Sequence, residues 1–333
     1  MSANFTHFLS CDWGTSAFRL RLVARGGGHI VASVETDDGV KAINTKLGEP
    51  KWPTARAEAF AEHLQQAAAR LLTAAGLTNT PVPIVVSGMA SSSIGWQELP
   101  YAPLPFAIEG TGARVERLNL ELAPGQPQPV LLISGVAGQD EMMRGEETQL
   151  IGLLGMPHFA KCGADSVVVL PGTHSKHIRV RDRQVIGLQT FMTGELFQVL
   201  RHHSVLRFTT STENTMLDEA PFADGVRAVL DRGLSRTLFQ VRSRGVLAGK
   251  SNEQNRDYLA GLLIGDELAA LAKMPGDSPI LLAMNQPMSD YYLAAARVIG
   301  IAERCEAVTH GWLDRLVVEG QATLLTRFGG LLN

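Results

Sequence analysis

The chain has 333 residues, of which 45% are hydrophobic and 19% are charged, and its formal net charge is −3. This composition is typical of a folded protein and excludes intrinsic disorder as the main state, while the length predicts about two domains. A mildly acidic chain with no basic stripe also argues against nucleic acid as a partner.

The first 75 residues predict three short strands and a helix. Residues 5–11 form an apolar run, 18–23 alternate between apolar and arginine positions, and 29–34 follow a glycine turn. The turn between the first two strands carries the sequence DWGTS. Apolar residues at a spacing of 3.6 then predict a helix over 54–75, which ends before a capping glycine.

The next segments predict two buried strands, each followed by a polar segment. Residues 83–86 lead into the loop SGMASSSIGW, and 130–134 lead through a second loop into a helix that ends near residue 154. Because proline and glycine are frequent over 107–128, this stretch is predicted to be surface connections. Residues 157–163 are typical of a linker.

The second half opens in the same way as the first. A strand over 166–170, the turn PGTHS and two further strands over 177–180 and 184–188 repeat the earlier order. After this repeat, the pattern predicts mostly helices and two more strands. The helices are 194–206, 222–230, 235–246, 256–273, 289–299 and 313–325, and the strands are 278–283 and 305–308. Mixed strands and helices predict an α/β architecture with two related halves.

The two glycine-threonine turns have chemistry that suits phosphate. Glycine lets the backbone approach a ligand closely, and backbone N–H groups with threonine and serine hydroxyls are donors for phosphate oxygens. Asp12 lies beside the first turn, where a carboxylate would repel phosphate unless Mg²⁺ lay between them. Ordinary turn hydrogen bonding is the alternative for all of these residues.

Six segments carry a resemblance to a known family. The first is similar to the first phosphate loop of the actin, sugar-kinase and heat-shock ATPase superfamily, and the set, in chain order, resembles the 2-dehydro-3-deoxygalactonokinase family. The segments are CDWGTSAFRLRL from Cys11, SGMASSSIGW from Ser87, MRGEETQLIG from Met143, LPGTHSKHI from Leu170, FMTGEL from Phe191 and GLLIGDEL from Gly261.

The resemblance implies an α/β fold of two ribonuclease-H-like (actin-like ATPase) domains flanking a central cleft. Residues 1–155 would hold the first phosphate loop and the sugar-acid pocket, and 156–333 would hold the second phosphate loop and the adenosine site. It implies an ATP- and Mg²⁺-dependent kinase that phosphorylates the terminal 6-hydroxyl of 2-dehydro-3-deoxy-D-galactonate in galactonate catabolism.

Site residues are assigned from the turns and the resemblance together. Asp12 is the predicted metal ligand and a catalytic residue, and Glu146 is the predicted base, with Glu147 and Asp140 as alternatives. The cofactor-binding candidates are Gly14, Thr15, Ser16, Gly172, Thr173, His174, Lys176 and Asn285. The substrate-binding candidates are Arg19, Met89, Ser91, Ser92, Trp96 and Arg144.

Several alternatives stay open at this point. Trp96 is also compatible with simple core packing, and Glu146 and Glu147 with stabilisation of a helix N-terminus. Asn285 stands where the superfamily usually has a glycine beside the adenosine. This departure keeps open a catalytically silent nucleotide-binding sensor, next to a kinase of another small sugar acid or polyol.

The cysteines and the lengths of the apolar runs bear on the cellular compartment in which the protein is found. Cys11, Cys162 and Cys305 are odd in number and far apart, so they predict neither a disulfide framework nor a CxxC metal pair. The start of the chain lacks the features of a signal peptide, and no run of about 20 apolar residues is present. We therefore expect a cytoplasmic protein with no membrane partner; a homodimer is a candidate, and the sequence leaves the oligomeric state open.

Overall fold

The computed structural model of the protein describes residues 5–25, 28–48, 53–78, 80–123, 126–213, 216–274, 276–308, 310–313 and 315–332. The described residues fall into two compact units. The first unit comprises those within 1–164, 180–187 and 314–333, and the second those within 165–179 and 188–313. Among the helices of the described ranges, none has both the length and the apolar character of a membrane span.

Before residue 156, the described residues form ten strands and three α-helices. In chain order they are β1 (His7–Trp13), β2 (Phe18–Ala24), β3 (His29–Thr36), α1 (Val40–Leu47), α2 (Pro53–Ala74), β4 (Ile84–Gly88), β5 (Ala102–Pro103), β6 (Phe106–Ala107), β7 (Val115–Ala123), β8 (Gln126–Ile133), β9 (Val136–Ala137), β10 (Met142–Met143) and α3 (Glu146–Gly155).

After residue 156, the part of the chain that the structure describes forms five strands and seven α-helices. In chain order they are β11 (Asp165–Leu170), β12 (Ser175–Arg181), β13 (Gln184–Phe191), α4 (Thr193–His203), α5 (Glu219–Arg232), α6 (Leu234–Ala248), α7 (Asn252–Ala272), β14 (Ile280–Leu282), α8 (Met288–Ile299), β15 (Cys305–Ala307), α9 (His310–Leu313) and α10 (Leu316–Phe328).

The sheet of the first unit has the order β3-β2-β1-β4-β8-β7. β1 pairs antiparallel with β2 and parallel with β4, and β4 pairs parallel with β8. The predicted alternation of β2 is present, since Phe18, Leu20 and Leu22 are buried against the core. Trp13, at the end of β1, packs its ring against Phe18 and Phe60. This packing fixes the end of β1, where the first glycine-threonine turn begins.

The sheet of the second unit repeats this order as β13-β12-β11-β14-β15. β11 pairs parallel with β14, and β14 pairs parallel with β15. Gln184 and Val185, two of the four β13 residues that belong to the first unit, pair with β6. The second glycine-threonine turn joins β11 to β12, as the first joins β1 to β2. The predicted fold class, α/β with two related halves, is therefore confirmed.

Two parts of the chain differ from the sequence predictions. The prediction of surface connections over 107–128 is wrong, because β7 and β8 form an antiparallel hairpin there. The division into units also differs from the predicted boundary between 155 and 156, because α10 packs on α3 of the first unit. The two helices cross closely: a Cβ at Gly152 would lie 1.9 Å from the carbonyl oxygen of Leu316.

Candidate active site

The turn after β1 is fixed by backbone hydrogen bonds. The Gly14 N–H donates to the Ala17 carbonyl (2.9 Å), and the first residues of α1 donate to the turn, Val40 to Gly14 (3.0 Å) and Lys41 to Thr15 (3.1 Å). The side chains of Thr15 and Ser16 are exposed. The turn therefore presents hydroxyl donors to solvent on a backbone held against a helix.

Asp12 lies on β1 directly opposite Arg19 of β2. Its side chain is 18% exposed, and Oδ2 lies 3.5 Å from Arg19 Nη1. Burial raises the pKa of the Asp12 carboxyl, and the charges of Arg19 and Arg21 partly offset this. Arg19 also donates from Nε to Glu35 Oε1 (2.7 Å), so its guanidinium joins two carboxylates.

Near this turn, a buried glutamine is hydrogen-bonded to residues near the ends of both β1 and β4. Gln321 of α10 donates from Nε2 to the Cys11 carbonyl (2.8 Å) and to Ser87 Oγ (2.9 Å). Sequence reasoning missed Gln321, since more than 200 residues separate it from both partners and no local signal marks it. Cys11 is a buried strand residue, as expected, and burial raises the pKa of its thiol well above the usual value.

Arg144 is engaged by the loop that follows β4. Its Nη1 donates to the Ser91 carbonyl (2.5 Å) and Oγ (2.6 Å), Nη2 to the Leu99 carbonyl (3.3 Å), and Nε to the Tyr101 hydroxyl (3.4 Å). The guanidinium also stacks on the Tyr101 ring at 4.1 Å. Arg144 therefore holds this loop in place, and little of its fork remains for a bidentate contact with a substrate carboxylate.

The other residues of this loop that were predicted to bind substrate differ in how deeply their side chains are buried. Trp96 is 7% exposed and belongs to the hydrophobic core of the first unit, so its packing alternative describes its position. Ser92 Oγ donates to the Met89 carbonyl (2.7 Å), and Met89 packs partly buried against the same core. Contact of these three residues with a substrate stays a prediction.

The two glutamates at the start of α3 have different environments. Glu147 is buried and accepts hydrogen bonds from the Gly145 N–H (2.7 Å) and Thr148 Oγ1 (3.0 Å). Burial, with the nearby Glu146 charge, raises the pKa of Glu147 to about 8. Glu146 is half-buried, and its Oε2 accepts the Arg144 N–H (2.9 Å). Glu147 is thus enclosed by protein, whereas Glu146 reaches the surface, as the alternative Asp140 does.

In the second unit, the turn after β11 rests on the start of α4. The Glu195 N–H donates to the Thr173 carbonyl (2.9 Å), and a Cβ at Gly194 would lie 2.3 Å from the Gly172 carbonyl oxygen. Gly172, Thr173 and His174 are exposed, and His174 Nε2 lies 2.6 Å from Glu195 Oε2. This turn therefore also presents polar groups from a fixed backbone.

The remaining two cofactor candidates also lie in the second unit. Lys176 is buried, and its Nζ donates to Thr190 Oγ1 (2.9 Å), so the ammonium group is directed to the protein. Asn285 is exposed between β14 and α8, where its carbonyl accepts the Ser289 N–H (3.2 Å). Contacts of Lys176 and Asn285 with a nucleotide stay predictions.

A divalent cation needs oxygen, nitrogen or sulfur ligands from the protein. Within the described ranges, no group of three or more His, Cys, Asp or Glu side chains could hold a metal ion. Mg²⁺, however, commonly binds through one or two carboxylates, phosphate oxygens and water. The partly exposed Asp12 carboxylate beside the first turn fits that mode of binding.

Comparisons with known proteins show which family this chain is similar to. A family model described as 2-keto-3-deoxy-galactonokinase matches residues 12–318. A probable 2-dehydro-3-deoxygalactonokinase of Rhizobium meliloti is 31% identical over 318 residues, covering 92% of this chain and 95% of that protein. The 2-dehydro-3-deoxygalactonokinase of Escherichia coli is 29% identical over 271 residues, covering 79% of this chain and 80% of that protein.

A solved structure is also similar over almost the whole chain. The crystal structure of a candidate 2-dehydro-3-deoxygalactonokinase from Sinorhizobium meliloti has a TM-score of 0.76 and 29% sequence identity. The match covers 96% of this chain and 99% of that one. Both units and both turns therefore lie within the region of similarity.

Proposed function

The chain belongs to the 2-keto-3-deoxy-galactonokinase family, and from this premise we propose that it transfers the γ-phosphoryl group of ATP to the terminal 6-hydroxyl of 2-dehydro-3-deoxy-D-galactonate. The observation that carries the proposal is the family match over residues 12–318, which includes both glycine-threonine turns. The reaction would serve galactonate catabolism in the cytoplasm, without a nucleic-acid or membrane partner and with either a monomeric or a homodimeric enzyme.

The two turns are assigned to the phosphates of ATP. The exposed Thr15 and Ser16 offer donors in the first unit, next to Gly14, which lets a ligand approach the backbone closely, and the exposed Thr173 and His174 offer donors in the second. Phosphoryl transfer depends on positioning and on stabilisation of charge more than on covalent chemistry. Turns whose backbones are fixed by neighbouring helices suit this requirement. Asn285 is assigned to the adenosine, and Lys176, which follows the second turn and donates to Thr190 Oγ1, stays a candidate for the phosphates.

Asp12 would hold Mg²⁺ at the first turn. When bound, the cation supplies neutralisation of the charge on the phosphate oxygens. Burial leaves the Asp12 anion poorly solvated and so raises the pKa of its carboxyl, while the positive charge of Arg19 partly offsets this effect. A cation near Asp12 would therefore stabilise its ionised form.

Glu146 is assigned as the base that accepts the proton of the attacking hydroxyl. A general base needs direct access to its proton donor, which favours the half-buried Glu146 over the buried Glu147. For the substrate carboxylate we assign Arg19: it contacts Asp12 and Glu35, but its side chain is 37% exposed, whereas Arg144 already donates to four protein atoms. Arg144 and Ser91 would then fix the loop that borders the sugar acid.

An assay of ADP formation tests the proposal. Purified protein is given ATP and Mg²⁺ with 2-dehydro-3-deoxygalactonate, with a panel of other small sugar acids and polyols, and with no acceptor. We expect the first acceptor to give turnover well above the blank and the highest kcat/KM. Faster turnover of another acceptor would reassign the substrate, and ATP binding without transfer to any acceptor would indicate a silent sensor.

A further inference from the structure

A buried carboxyl group in the second unit is not used by the proposed chemistry. Glu267 of α7 is 1% exposed. Its Oε1 accepts hydrogen bonds from Ser175 Oγ (2.7 Å) and the Tyr292 hydroxyl (3.0 Å), and Oε2 accepts from the Tyr292 hydroxyl (2.9 Å) and Thr193 Oγ1. In such a buried network, loss of one hydrogen bond leaves a polar group without a partner, which lowers the stability of the network.

A buried histidine completes the set of donors. His177 Nε2 lies 3.0 Å from Glu267 Oε1, and its ring packs on Phe191 at 4.6 Å. His177 Nδ1 has no hydrogen-bond partner among the described residues. We therefore place the imidazole hydrogen on Nε2, where it can donate to Glu267. Four side chains from β12, α4 and α8 thus donate to one carboxyl group on α7.

These donors lie on both sides of the second turn. Ser175 is the first residue of β12 and directly follows His174, the last residue of the turn. Thr193 is the first residue of α4, and the next residue, Gly194, is in close contact with the Gly172 carbonyl. Glu267 therefore connects two elements next to the second turn. One is β12, which begins directly after the turn, and the other is α4, whose first residues contact the turn.

We propose that Glu267 is a positioning residue for ATP, which it serves by holding β12 and the start of α4 at the spacing that shapes residues 171–174. The inference rests on the proposed function, in which this turn contacts phosphate. It predicts an effect on nucleotide binding and little effect on the sugar acid. A residue that only stabilised the protein would change both or neither.

The test uses Glu267→Gln, with Asp266→Asn as the matched control. The glutamine keeps the size of the side chain but replaces one acceptor oxygen with a donor. Asp266 is the neighbouring residue on α7, and its side chain is exposed. We expect Glu267→Gln to raise KM for ATP and to weaken ADP binding in calorimetry by about tenfold. KM for the sugar acid is expected to stay within about twofold of the wild-type value.

Two further variants keep the test decisive if Glu267→Gln does not fold. Thr193→Val and Tyr292→Phe each remove one hydroxyl donor with little change of shape, and each is expected to weaken ADP binding by about threefold to tenfold. Unchanged ADP affinity in all folded variants would overturn the inference. A parallel rise of both KM values together with a lower melting temperature would also overturn it.

The calorimetric arm separates this inference from the proposed function. ADP binding is measured without an acceptor, so a wild-type protein that binds ADP but does not phosphorylate the sugar acid would refute only the proposed substrate. The effect of Glu267→Gln on ADP affinity would still decide the positioning role. If the wild-type protein bound no ADP at millimolar concentration, both would be refuted.

Discussion

Separate replacement of Glu146 and Glu147 by glutamine distinguishes the base from its neighbour. The two residues are adjacent at the start of α3, but Glu147 is enclosed by the Gly145 N–H and the Thr148 hydroxyl. Glutamine at 147 resembles the protonated carboxyl group that burial favours there. Glutamine at 146 removes the group assigned to accept the substrate proton.

The expected change in stability follows from the pKa of Glu147. Burial raises this pKa from 4.5 to about 8, so between these pH values the folded protein keeps a proton that the unfolded chain has released. The free energy of unfolding of the wild type therefore decreases as pH rises through this range. Glu147→Gln has no proton to lose, so its stability relative to the wild type should increase by about 1.4 kcal/mol per pH unit at most.

For activity, the large effect is expected from the substitution of Glu146 and not from that of Glu147. Glu146→Gln should lower kcat by about 10²-fold to 10⁴-fold, the usual contribution of a general base. Glu147→Gln should keep kcat within about tenfold of the wild type, because its hydrogen bonds position α3 without contact to the substrate. Urea unfolding of each protein at pH 5, 6.5 and 8 and ADP formation at pH 7.5 measure the two effects.

Either of two results would refute this reasoning. If the stability difference between Glu147→Gln and the wild type did not increase from pH 5 to pH 8, Glu147 would not be a protonated buried group. If Glu147→Gln lost as much activity as Glu146→Gln, the assignment of the base to Glu146 would be wrong.

Three other substitutions test contacts and ligands elsewhere. Gly194→Ala should raise KM for ATP by about tenfold, because the added methyl group would push the second turn away from α4; steady-state kinetics that match the wild type would contradict this. Gly152→Ala should lower the free energy of unfolding in urea by about 1–3 kcal/mol, because the added methyl group would clash between α3 and α10. The control is Gly155→Ala on the same helix, where the methyl group would meet no atom within 4 Å. Equal stabilities of the two variants would be inconsistent with the close crossing of α3 and α10. Asp12→Asn should raise the Mg²⁺ concentration for half-maximal rate by about tenfold or more; an unchanged Mg²⁺ titration would remove Asp12 from the metal site.

Much of the fold was predictable from periodicity, and the exception has a physical cause. β2 alternates between apolar and arginine positions, and β1 and β3 are mainly apolar, so these strands were predicted. The β7–β8 hairpin was missed because Pro127 and Pro129 are typical of loops, and because the alternating Leu118, Leu120 and Leu122 lie among charged residues. β7 is at the edge of its sheet, where one polar face is exposed and the pattern is weak.

The candidate site was predictable only where its residues are local. The two turns are visible as short motifs, and both are exposed, fixed turns in the structure. Gln321 and Glu267 gave no such signal, because their partners lie up to 310 residues away for Gln321 and up to 92 for Glu267. Arg144 was predicted to bind the substrate because its guanidinium stands beside the proposed base in the sequence, whereas the structure shows this guanidinium already bound to the Ser87–Trp96 loop and Tyr101.

The most direct test of the central claim is the position of the phosphate on the product. The protein is incubated with ATP, Mg²⁺ and 2-dehydro-3-deoxy-D-galactonate, and the product is analysed by phosphorus–proton correlation NMR. We predict a new phosphomonoester whose phosphorus couples to the two protons of the terminal methylene group. The absence of any new phosphomonoester, or coupling to a single methine proton instead, would contradict the account.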